Sequence, residues 1–200
     1  MFINEKILRK IMMNAYKANG LYMGNYDGYY YLADKFHMSW EAKIAVGCVP
    51  NTILAAMVEC SGGVPQNGEG WTSDKEGSQM EAYNVCDLSE PENPYAIDQT
   101  PLYLMGKNGT LYRFMQLQHN NRLMLTNPVL LLAIDPRSID RQNEETMIEG
   151  PFYDGKHGIY AKTNQAVFRI WAGVVPKTES IMDAMESAEV KYEFDEEENQ

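Results

Sequence analysis

Four cations recur along the segment "NEKILRKIMMNAYKANG", residues 4–20. At about 100° per residue, a helix gathers Lys6, Arg9, Lys10 and Lys17, with Met13 among them, opposite a stripe of Ile7, Leu8, Ile11, Met12 and Ala15. The chemistry open to such a face is electrostatic: cationic side chains held outward by an apolar stripe can contact phosphates without reading bases. A lysine face turned simply to water is the plainer reading of the same spacing. Aromatic groups supply the second set of candidates. Tyr26, Tyr29, Tyr30 and Tyr31 crowd one short region. Alternation sets Tyr29 and Tyr31 on the face opposite Tyr30, so one set belongs to the core and the other offers rings for stacking. Trp71, in a Gly-rich stretch, completes a candidate interaction surface of Tyr29, Tyr31 and Trp71.

Catalytic chemistry finds less support. His37, His119 and His157 lie near expected turns, and no metal-binding or nucleophile motif surrounds them. Asp135 with Asp140, and Glu144 with Glu145, fall in a polar stretch where nothing would shift their acidity, and general acid–base work needs such a shift. Cys48, Cys60 and Cys86 are odd in number and lack CxxC spacing, which reads as reduced, mostly buried thiols. The sequence assigns no catalytic residue, no metal ligand and no cofactor. A small enzyme whose site assembles from distant residues, walled by the loop around Trp71 and the tyrosine hairpin, stays open as an alternative.

The elements that must position these residues can be read in order. Asn4 is a suitable N-cap and Gly20 a left-handed stop for the first helix. "LYMGNYDGYYYLAD" reads as a hairpin turning at Asn25, Asp27 and Gly28. A second helix is expected from Pro50 or Asn51 to Gly62 and Gly63, followed by a long loop, "VPQNGEGWTSDKEGSQ". "DLSEPENPYAIDQT", with Pro91 and Pro94, reads as a break. Beyond it, "TPLYLMGKNGTLYRFMQLQ" is a hairpin about Asn108-Gly109, which explains the "NGT" triplet better than glycosylation does, and "HNNRLML" turns at Asn120-Asn121. "TNPVLLLAID" reads either as a short capped helix or as a buried strand. A closing hairpin turns at Thr163-Asn164, and an amphipathic helix on Ile181, Met182 and Met185 precedes an acidic, disordered end.

The expected fold class is therefore α+β: a mainly antiparallel sheet built from hairpins, with two to four helices. Residues 1–177 form one domain, with a subdomain break near 89–100, and residues 178–200 form the amphipathic helix and acidic tail. In a chain of 200 residues, 44% hydrophobic residues is enough for a real core. No run of about 18 apolar residues is present to span a bilayer, so no membrane association is expected and the cytoplasm is the expected location. Of the net charge of −11, residues 179–200 carry nine acids and one lysine, a balance of −8 that leaves only −3 for the rest. Screening confines the tail's influence to roughly 8 Å at physiological salt, so a basic face on a nearly neutral body can still attract an anion.

This order of elements, with a basic outer helix face, the helix "NPVLLLAID" and a last hairpin ending in "VVP", resembles the antiparallel-sheet-plus-helix units of DNA sliding clamps over Asn4 to Pro176. The resemblance implies that Lys6, Arg9, Lys10 and Lys17 face DNA phosphates, in an accessory protein of DNA replication or of a mobile element. The acidic end offers a reading of another class, an interaction protein that captures a basic protein partner or mimics DNA.

Overall fold

The computed structural model describes residues 2–36, 39–81, 94–106, 109–135, 149–156 and 158–172. The fold is α+β, as expected. Helix α1 spans Glu5–Ala18, α2 spans Asn51–Ser61 and α3 spans Pro128–Leu131. The strands are β1 (Leu21–Tyr26), β2 (Tyr29–Asp34), β3 (Trp40–Ala45), β4 (Glu69–Asp74), β5 (Gly77–Glu81), β6 (Tyr95–Met105), β7 (Leu111–Leu117), β8 (Leu123–Thr126), β9 (Glu149–Tyr153), β10 (Gly158–Lys162) and β11 (Ala166–Trp171). They form one antiparallel sheet of 11 strands in the order β5-β4-β1-β2-β3-β11-β10-β9-β6-β7-β8. Two halves built from different stretches of chain meet where β3 pairs with β11.

Local chemistry explains most boundaries. Asn4 accepts a bond from the Ile7 amide at 3.2 Å to open α1, which buries Leu8, Ile11 and Met12 against the sheet. Burying each such side chain stabilises the fold by about 1.5–3 kcal/mol. The β1–β2 hairpin turns on Asp27 (φ 52°) and Gly28 (φ 81°), the paired left-handed conformation that a two-residue hairpin demands. Gly62, at φ 81°, ends α2. "NPVLLL" resolves into α3, capped by the Asn127 side chain with Pro128 in its first turn, and not into a strand.

Other expectations need correction. The polar segment read as a long loop contains β4 and the start of β5. One of its glycines, Gly70, is a strand position that permits close approach: it pairs with Gly24 of β1, and the Tyr22 and Tyr26 side chains fold over both. The expected break contains the start of β6, whose backbone pairs with β9 from Tyr95. Strands β3 and β9 were not anticipated at all. The expected helix on Ile181, Met182 and Met185 and the acidic tail lie outside the described residues.

The sheet is curled. Thr126 at the end of β8 bridges Ala172 just past β11, and its Oγ1 donates to the Trp171 carbonyl at 3.4 Å. In a flat sheet five strand steps of about 4.8 Å would hold these strands about 24 Å apart. The curl wraps Ile97, Met115, Leu117 and Met124 into the same core as Phe168, Ile170 and the inner faces of α1 and α2. Trp40 and Phe168 stack at its centre, ring centroids 6.3 Å apart. On the opposite face, Glu41 of β3 stands across from Arg169 of β11 and pairs with its guanidinium, Glu41 being 2% exposed.

Two substitutions test this packing. A Cβ at Gly24 would lie 2.7 Å from the Tyr26 ring and 2.8 Å from the Tyr22 hydroxyl, so Gly24→Ala lowers stability by about 1–3 kcal/mol. Gly47→Ala, with nothing within 4 Å, leaves the urea midpoint unchanged. Glu41→Gln strands the Arg169 charge and destabilises by about 3 kcal/mol or more, and Glu41→Leu with Arg169→Met recovers most of that loss in the same urea titration.

Candidate binding surfaces

The four cations of α1 divide. Lys6, Lys10 and Lys17 are exposed, and none forms an ion pair among the described residues. Arg9 turns toward α2, where its Nη2 meets Glu59 Oε2 at 2.6 Å. Both side chains are about half exposed, so the pair adds little stability, but it compensates the Arg9 charge locally. Met13 also leaves the outer face, lying half-buried with its sulfur 3.6 Å from Cys60 Sγ. The exposed cationic face thus consists of three lysines. The outer positions of α2, Asn51, Thr52, Ala55, Val58 and Glu59, add no cation to it.

The aromatic candidates do not join this face. Tyr29 and Tyr31 project from the side of the sheet opposite the helices, in a cluster with Tyr22 and Tyr26. Tyr31 is buried, and Lys43 Nζ stands 4.4 Å from the Tyr29 ring centre and 5.7 Å from that of Tyr31. These ring faces already have partners within the chain, which leaves less of them for stacking. Trp71, half-buried on β4, packs beneath Gly63 at the end of α2 and belongs to the helix-bearing side.

A third surface was missed in the sequence. Between the β6–β7 hairpin, α3 and the start of α1 runs a groove of about 540 Å³, bordered by Tyr103, Leu111, Val129 and Leu132. Each of these four side chains is at least 43% exposed. Two signals could have revealed it. Tyr103, Met105 and Leu111 stay exposed on a hairpin whose Leu102, Leu104 and Tyr112 pack instead against Phe114, Leu123 and Leu125. The run "PVLLL" also carries more apolar residues than a one-turn helix can bury. The polar groups along the groove are few, chiefly Arg113, Gln99 and Asp135.

Catalytic groups among the described residues do not converge on these surfaces. Among the described residues no group of three His, Cys, Asp or Glu is placed to hold a metal ion. His119 is exposed and stacks on Tyr95, ring centroids 4.5 Å apart, while His37 and His157 lie outside the described residues. Of the cysteines, Cys60 is a buried free thiol, Cys48 is a half-buried free thiol, and Cys86 is outside the described residues. Burial, and then the charge of Glu59, pushes the Cys60 thiol up to about 11. Among the described residues, no helix is long and apolar enough to cross a membrane. Comparison with protein-family models, curated proteins and solved structures finds no match for the chain.

The raised Cys60 pKa carries a signed consequence. Between about 9 and 11 the unfolded thiol loses its proton while the folded one keeps it, so stability falls as pH rises through this window. Urea titrations at pH 8 and 11 should show a smaller loss in Cys60→Ala than in the wild type.

Proposed function

We propose that the chain is a non-enzymatic binding module that contacts nucleic-acid phosphates through Lys6, Lys10 and Lys17. One observation carries this reading: three exposed ammonium groups share a helix face with no carboxylate paired to any of them among the described residues. Their contacts are with the phosphate backbone and are indifferent to base sequence, because ammonium groups present no rigid fork of donors to a base edge and the guanidinium beside them, that of Arg9, is engaged by Glu59. Arg9 contributes less than its position in the sequence implies, since Glu59 holds its guanidinium.

The clamp-like role belongs to the same proposal. Support comes from the side-by-side placement of α1 and α2 over an antiparallel sheet, the layering in which clamp helices face DNA and sheets form the outer shell. The lysines of α1 alone would supply the cationic lining, because α2 offers none. An accessory place in DNA replication or in a mobile element, in the cytoplasm, follows from this reading. Capture of a basic partner by the acidic end is the rival, and it rests on residues outside those described.

Fluorescence anisotropy with labelled duplex DNA tests the proposal. Three phosphate contacts give a slope of about −2.7 in log K against log salt, so affinity falls about 40-fold between about 50 and 200 mM salt. Replacing Lys6, Lys10 and Lys17 by Glu abolishes binding, whereas Arg9→Gln keeps most of it. Absence of binding at the low-salt end, or an unchanged slope in the triple variant, overturns the reading.

A further inference from the structure

The groove between the β6–β7 hairpin and α3 is an unusual surface for a chain with so well filled a core. Its volume of about 540 Å³ falls within the roughly 300–1,000 Å³ of ligand-binding clefts. Leu132 is 61% exposed, Tyr103 48%, Leu111 45% and Val129 43%, and all four border the one depression. Apolar groups exposed singly need no explanation, but four around one concavity form a surface that a partner can dry.

The charge in the groove defines the partner further. Arg113 donates from Nε to the Thr100 carbonyl and from Nη1 to Gln99 Oε1, each at 2.7 Å, and its guanidinium lies 5.5 Å from the centre of the Tyr103 ring. Both acceptors are neutral. They fix the guanidinium without compensating its charge, and among the described residues no carboxylate pairs with it. A preorganised guanidinium beside apolar side chains is matched by a carboxylate.

We propose that this groove docks a short peptide segment of a protein partner, one that presents apolar side chains around a single carboxylate placed against Arg113. The apolar side chains fill the space bordered by Tyr103, Leu111, Val129 and Leu132, and the carboxylate sets their register. The groove does not include the three lysines of α1, so docking and phosphate contact are separable.

The test uses fluorescein-labelled decapeptides of Leu, Phe and Ser with one central Glu. One control set replaces Glu by Lys, and another replaces Leu and Phe by Ser. Anisotropy titration of the full chain should show binding of the Glu peptides only. Arg113→Gln should weaken it about tenfold, and Leu132→Asp, a change at an exposed position that leaves the thermal melt in place, should abolish it. The Lys6, Lys10 and Lys17 to Glu variant should bind peptide as the wild type does, which separates this result from any failure of DNA binding. Equal affinity for the Lys peptides, wild-type affinity in both groove variants, or no peptide binding overturns the proposal. A wild-type dimer in light scattering that Leu132→Asp dissolves, without peptide binding, overturns it in favour of a second copy as occupant.

Discussion

The bridge between Thr126 and Ala172 turns an open sheet into a curled one, and the places of the core, of α3 and of the groove follow from that closure. Without the curl, β6, β7 and β8 would present Met115, Leu117 and Met124 to water instead of to the core they share with Phe168 and Ile170. The curl also brings the chain after α3 back to the N-terminal segment, where Ile3 bridges Ile134 and the Asn4 amide donates to the Ala133 carbonyl at 2.7 Å. The start of α1 is thereby fixed against α3. The groove is the seam left between them and the β6–β7 hairpin.

The two faces of the sheet solve different problems. The helix-bearing face is an ordinary apolar core, with α1 and α2 contributing Leu8, Met12, Ile53 and Met57. The other face buries polar chemistry, the tyrosine cluster and the Glu41–Arg169 pair. Such a face specifies register, since a shift of one residue would exchange Glu41 with the core position of Trp40 or Ala42. The cations of α1 stand on the layer away from it, in water.

Much of the fold was legible because local chemistry decided it. Asn4, Asp27-Gly28, Pro50, Gly62 and Pro128 each impose a backbone state with few alternatives, and the boundaries they imply are the observed ones. Legibility failed where partners distant in sequence decided. "EGWTSD" is a strand because β1 lies beside it and two tyrosines need glycines under their rings, and nothing within the segment records that. The candidate surfaces followed the same division. Helical spacing placed Lys6, Lys10 and Lys17 outward, but the diversion of Arg9 to Glu59 crosses 50 residues of chain and has no local signature. The groove joins three separate stretches, so only its exposed apolar residues were visible in advance.

The junction of β3 with β11 has a consequence for how the chain is made. Glu41 and Arg169 are 128 residues apart, and synthesis at about 5–20 residues per second separates their emergence by about 6–25 s. Through that interval β3 lacks the strand that pairs its outer edge in the finished sheet. A nascent half-sheet of this kind exposes a template for pairing between neighbouring chains on one message. The wait for β11 thus leaves the outer edge of β3 open to such pairing, and slower initiation, which spaces nascent chains apart, shortens the encounters between open edges.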